Sequence, residues 1–204
     1  MQNSEIINKS KSILKNNYGK VMLPFFIVAL VQSILTSQDL IKSIAESLGV
    51  SIAILLSIVF VSVSASLTLG LASFSLSIAN NDSINSNKIK DGFSVMPRAI
   101  SLIIIYVLII LIGFICLIIP AIIFTLMFAQ IFYIAIDKPE TSVIDCFKQS
   151  ASMMKGHKWQ FFKLSLRYSL YFILSIFTLF IWALWLLPQM YVSTALFYKK
   201  VSEV

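Results

Sequence analysis

Three stretches of this chain run for 30 residues or more without a charged side chain: Val50 to Ala79, Ala99 to Ile136 and Tyr168 to Tyr198. A helix rises about 1.5 Å per residue and the hydrocarbon core of a bilayer is about 30 Å thick, so each stretch is long enough to cross a membrane. Charged residues make up 12% of the 204 and hydrophobic residues 58%. A soluble domain carries roughly twice that charge, and so little cannot cover a water-facing surface. The chain reads as an all-α, polytopic membrane protein, with residues 1–204 forming one integral-membrane domain.

The N-terminal residues 4 to 18 place Ile6, Ile7, Ile13, Leu14 and Tyr18 near one helical face, with the lysines mostly on the other. That pattern predicts a basic amphipathic helix on the membrane surface. Val21 to Gln38 is a first span, with Pro24 in its opening turn. A basic start before an apolar run also describes a signal peptide. No small-x-small cleavage site follows and more spans do, so the span is expected to remain. Asp39 to Gly49 is a short connection. In Val50 to Ala79, Ser62, Ser66 and Gly70 recur every four residues, with Ala65, Ser73 and Ser77 on an adjoining stripe. Small residues at this spacing allow close approach of another helix. Packing against neighbours in the same chain is the plainer reading; a homodimer face and a serine-lined pore are the others. Asn80 to Arg98 is polar and turn-rich.

Ala99 to Ile136 is 38 residues, about 57 Å as one helix, too long for a single crossing. It is expected to be two spans joined at Pro120. Tyr168 to Tyr198 is likewise read as two spans, with the turn near Leu179 to Ala183 and Pro188 in the first turns of the last span. Between these blocks lies a charged island, Asp137 to Arg167. It holds nine of the 25 acidic or basic side chains and the single histidine, His157. Within it, Thr141 to Lys155 is expected to be an amphipathic surface helix with Pro139, Glu140 and Asp145 near its start and Gly156 at its end. Trp159 suits a membrane interface.

The count is then six transmembrane helices in three hairpins, with amphipathic helices on the cytoplasmic side. Both termini, the loop near Lys88 and the island share that side, with 15 of the 16 Lys and Arg residues; only Lys42 lies opposite. A basic bias of this kind marks the cytoplasmic face. Each outward span follows a surface segment (4 to 18, 83 to 96, 141 to 158), which suggests three repeated units with a degenerate middle one.

Several segments resemble a known family. They are Leu14 to Met22 (LKNNYGKVM), Ile118 to Ile123 (IIPAII), Tyr133 with Asp137 and Pro139, Ser150 to Phe162 (SASMMKGHKWQFF) and Leu184 to Tyr198 (LWLLPQMYVSTALFY). Together they resemble the bacterial integral-membrane family known as domain of unknown function 975. MKGHKW is the most specific piece. More distantly the chain is similar to membrane domains attached to some glycerophosphodiester phosphodiesterases. It departs from the family in lacking the glycines usual in the last two turns. The resemblance implies a multi-pass protein of the bacterial plasma membrane, and it implies no activity and no catalytic residues.

The residues themselves point away from catalysis. The spans hold no Asp, Glu or His, and acid–base chemistry needs such groups held together. Cys116 and Cys146 are expected at different depths, so neither a disulfide nor a metal site follows. No cofactor is expected, and the chain is read as not an enzyme. His157 reads as a surface residue near headgroups, with a titrating switch as the sharper alternative. Gln32, Gln130 and Gln189, one each in the first, fourth and sixth spans, are polar intramembrane candidates. Interhelical hydrogen bonding is their plainer role and a substrate path the other. The net charge of +7 sits beside apolar spans and points to anionic lipids of the cytoplasmic leaflet rather than to nucleic acid. Lys155, Lys158, Trp159, Lys163 and Arg167 are the candidate anionic-lipid contact, with Asp137 as an available counter-charge; snorkelling alone is the plainer account. A membrane-protein partner, a homo-oligomer, an accessory role in export and immunity to an antimicrobial peptide all fit the same composition.

Overall fold

The computed structural model describes every residue except 1, 16, 83, 117, 179, 180 and 204, with the backbone alone at 115, 116 and 118. Among the described residues there are helices and no strands. Helix α1 (Asn3–Leu14) lies before α2 (Tyr18–Leu35), and α3 (Gln38–Leu48) leads into α4 (Val50–Ala79). A 3-10 turn (Ser86–Lys90) and the short α5 (Asp91–Ser94) precede α6 (Met96–Cys116). Then come α7 (Ile118–Met127), α8 (Ile131–Asp137), α9 (Val143–Met153), α10 (Lys158–Ser175) and α11 (Ala183–Ser202). Four segments are long and apolar enough to cross a membrane: Tyr18–Leu35, Val50–Ala79, Met96–Phe114 and Ile119–Asp137. α10 carries Lys158, Lys163 and Arg167 in its first ten residues, and α11 ends on Lys199 and Lys200.

α4 shows where the core sits. Its first half exposes Ile52, Ile54, Leu55, Ile58, Val59 and Val61, whereas nearly every residue from Ala65 to Ala79 is buried. Around that buried half the ends of α8 and α11 converge. The Tyr133 hydroxyl donates to the Tyr191 carbonyl at 3.2 Å and accepts from Ser75 Oγ at 3.4 Å. Its ring stacks on Tyr198, whose hydroxyl donates to Asp137 at 2.7 Å. Thus α4, α8 and α11 meet through one tyrosine, and buried hydroxyls find the partners that burial demands.

Short segments pack on each of these three helices. The 3-10 turn and α5 lie on α4, α9 lies on α8, and α1 lies on α11. Ser10 of α1 accepts a bond from Ser193 of α11 at 2.8 Å, and Ser193 also pairs with the Tyr168 hydroxyl of α10 at 2.7 Å. Sequence-distant ends are thereby joined in one buried hydroxyl chain.

The small-residue stripe of α4 packs against the 3-10 turn and α5. A Cβ at Gly92 would stand 2.0 Å from the Ser66 carbonyl oxygen, and one at Gly70 would stand 2.1 Å from the Ile89 carbonyl oxygen. Backbone therefore meets backbone, and Ser73 Oγ donates to Asp91 at 2.9 Å beside the contact. The plainer reading of the stripe holds, with a short loop segment rather than a long helix as the neighbour.

Other expectations shift. Asp39 to Gly49, read as a short connection, contains helix α3: Ser37 caps it by accepting from the Leu40 amide, and Leu40, Ile41 and Ile44 share one face. α2 begins at Tyr18, so Pro24 lies inside it rather than in its opening turn. The island helix begins at Val143, leaving Pro139 in the turn before it. Ser142 caps it, accepting from the Asp145 amide at 3.2 Å and donating to the Asp145 carboxylate at 2.7 Å. That bond, reinforced by Lys148, holds the Asp145 carboxyl below its usual range. Nor does α9 lie wholly beyond the preceding span. Ser150 Oγ donates to the Met127 carbonyl at 2.9 Å, ten residues before Asp137, so α9 folds back alongside it.

Where Ala99 to Ile136 was expected to divide, α6 ends at Cys116 and α7 starts at Ile118, with Pro120 in the first turn of α7. The two pack closely: a Cβ at Gly113 would stand 2.9 Å from Ala121 Cα. Of the second expected turn, Leu179 to Ala183, Ile181 and Trp182 form a turn, and Ile176–Thr178 just before it is a 3-10 turn. Leu179 and Phe180 lie outside the described residues, as does the Cys116 side chain. Cys146 is a buried free thiol.

Candidate functional site

α10 has two unlike faces. Phe161, Leu164 and Tyr168 are buried, with Phe161 against Phe197 at 5.0 Å between ring centroids. Tyr168 is held by Ser193. These contacts orient the helix so that Trp159, Lys163 and Arg167, spaced four apart, share the exposed face. Lys163 Nζ sits over the Trp159 ring at 5.3 Å from its centroid. The Arg167 guanidinium sits over Tyr171 at 5.8 Å, and its Nε donates to the Tyr171 hydroxyl at 3.2 Å. Each cation thus rests on an aromatic face, an attraction of about 0.5–1 kcal/mol at exposed sites. The result is an aromatic–cation–cation–aromatic ladder along one helix face.

The structure brings three of the five expected contact residues onto this ladder. Lys158, the first residue of α10, stands beside it, and Lys155 is exposed in the turn before the helix. Among the described residues none of the four cations pairs with a carboxylate. From Cys146 to Ser202 the chain has no Asp or Glu at all. Asp137, expected as a counter-charge, is instead engaged by Tyr198 and lines a separate polar cleft with Asp82, Lys88 and Asp91. Tyr171 was not anticipated as part of the site, although its place four residues after Arg167 carried the signal.

The glutamines part company. Gln32 of α2 donates to the Ser64 carbonyl at 3.3 Å and to Thr68 Oγ1 at 3.2 Å, both on α4, an interhelical contact. Gln189 is buried in α11, and its carbonyl accepts a long bond from Tyr168. Gln130 differs from the expected interhelical bond. It sits at the break between α7 and α8, its backbone N–H donates to Ser150 Oγ, and neither polar atom of its fully buried side chain has a partner among the described residues. His157 precedes α10 as its N-cap residue, with no side-chain cap bond. Among the described residues no group of three His, Cys, Asp or Glu is placed to hold a metal ion.

Taken together, these features define an all-helical protein whose four apolar segments fit a membrane, with its short segments gathered into a packed core and a basic ladder on one helix. The chain belongs to the family described as protein of unknown function (DUF975), whose model matches residues 83–204. The match includes the island and α6 to α11 and leaves Leu14 to Met22 outside. No curated protein and no solved structure matches the chain.

Proposed function

We propose that this is a non-catalytic, six-pass protein of the bacterial cell membrane that binds anionic lipid on the α10 ladder, with both termini and the ladder's basic end in the cytoplasm. The observation that carries the reading is the ladder itself. Lys163 and Arg167 are exposed, seated on Trp159 and Tyr171, and unopposed by any carboxylate from Cys146 to Ser202. Basic side chains beside an apolar span attract the anionic leaflet by about 1 kcal/mol each. An indole at the same level suits the headgroup region. Six passes are supported by the way α1, α5 and α9 all join one packed core, which requires the chain to return to that end after each departure.

The test is lipid retention. Lys163→Ala with Arg167→Ala is expected to lower the anionic lipid that stays with the purified protein about thirtyfold, the equivalent of two surface cations. Zwitterionic lipid should remain, as should the position of a C-terminal topology reporter. Unchanged anionic lipid would remove the ladder from consideration as a binding site.

A further inference from the structure

The ends of two apolar segments of crossing length, α2 and α4, meet at an open cleft of about 460 Å³. Asn17 and Lys20 line it from the start of α2, and Asn81 and Asp82 from just beyond the end of α4. Ile13, Ile78 and Ile84 supply its apolar wall. Local structure fixes both polar edges. α4 ends in a left-handed turn: Asn81 takes a φ of 61°, its amide donates to the Ile78 carbonyl at 3.1 Å, and the Asp82 amide donates to the Ser77 carbonyl at 3.1 Å. Asn tolerates that conformation where most side chains do not. At the other edge, the Asn17 carbonyl accepts from the Lys20 amide at 3.0 Å and from the Val21 amide at 3.1 Å, which sets Lys20 in the first turn of α2.

The cleft holds one cation and one anion. Among the described residues neither Lys20 nor Asp82 is in an ion pair. Asp82 also borders the polar cleft that contains Asp91 and Asp137, but Asp91 is engaged by Ser73 and Lys88, and Asp137 by Tyr198. Nor do the two charges serve their helices. A cation opens α2 and an anion follows α4, the reverse of what the peptide dipoles favour.

We propose that this cleft binds a lipid headgroup that joins a phosphodiester to a primary ammonium, with the phosphate at Lys20 and the ammonium at Asp82. One charge of each sign matches a zwitterion, whereas a lone anion would meet Asp82 as well as Lys20. The carboxamides of Asn17 and Asn81 can donate to phosphate oxygens or accept from the ammonium. A lipid suits the place, because the ends of two spans put the cleft at the membrane boundary and the isoleucines offer apolar surface beside the charges. A primary ammonium donates charge-assisted hydrogen bonds to a carboxylate, and the trimethylammonium of choline has no N–H to donate. The site shares no residue with the α10 ladder and selects a different charge pattern.

The test presents the full-length protein in detergent with equal amounts of phosphatidylethanolamine and phosphatidylcholine of the same acyl chains, and reads the bound lipid by native mass spectrometry. Phosphatidylethanolamine is expected to be retained about tenfold over phosphatidylcholine, the worth of one hydrogen bond to a charged group. Asp82→Asn keeps the side-chain shape and should bring the two lipids to parity, and Lys20→Ala should lower both. Equal retention by the unaltered protein would overturn the proposal, and it needs no variant that has to fold. A preference that persists in a folded Asp82→Asn variant would also overturn it. Glycerophosphoethanolamine carries the same headgroup without the chains. At the concentration of the lipid it should leave the lipid bound, and displacement would overturn the lipid as occupant in favour of a soluble ester.

Discussion

Gln130 is the residue most at odds with its surroundings. Its side chain is fully buried, and both amide atoms lack partners. A buried polar group left unsatisfied costs about 1–3 kcal/mol. Gln130→Met keeps the length and removes both atoms, so it should stabilise the protein by about 1–2 kcal/mol, read as a higher thermal midpoint in detergent. A lower midpoint would mean that the amide finds a partner in solution. Gln32 makes the contrast. Its bond to α4 is the role expected of a polar residue in an apolar span, because a polar group in hydrocarbon seeks a neighbour. Nothing in the local sequence separates these two glutamines, since each lies in an uncharged run. Gln130 falls at the break between α7 and α8, where Ser150 of α9 accepts from its backbone N–H and leaves the side-chain amide unserved.

At the scale of elements, the tightest junction is that of α5 and its preceding turn against α4. Gly92→Ala would drive a methyl into the Ser66 carbonyl and the Gly70 backbone. Neither contact is a side chain that can swing away. Overpacking of this kind costs about 1–3 kcal/mol or more, so the variant should lose that much stability, and Gly19→Ala, where nothing lies within 4 Å, should not. Comparable thermal midpoints for the two would show that the turn is free to lift from α4. The small-residue period of α4 was plain in the sequence, but its neighbour was not. A polar, turn-rich stretch carries no helical stripe to announce that it packs at all. The ladder on α10 followed the reverse course. Its four-residue spacing was legible on one helix, whereas the cleft of Lys20 and Asp82 joins the start of α2 to the residues beyond α4, which only the packing of those elements supplies.

For the whole molecule, the proposed sidedness can be tested against the packed core. The short segments before α2, α6 and α10 all reach one core, and α3 with Lys42 stands apart from it, no residue of α3 being buried. With six passes, a reporter fused after the last residue should remain in the cytoplasm and one inserted in α3 should be exported. Export of the C-terminal reporter would reduce the passes to five and place Lys199 and Lys200 outside, against the charge bias that orients spans.

The sequence by itself determined the helical class, the fit to a membrane and the spacing of the α10 cations. Each is a matter of local composition and period, since uncharged runs of crossing length leave the backbone only its own hydrogen bonds to satisfy it. Tertiary structure alone decided that α1 lies on α11, that α9 folds back along the Ile119–Asp137 segment, that Asp137 serves Tyr198 rather than the lysines, and that Lys20 and Asp82 line one cleft. Those features depend on which surfaces meet across 23 to 183 residues of chain, as in Ser150 with Met127, Tyr198 with Asp137 and Ser10 with Ser193, and a one-dimensional period holds no record of distance in space.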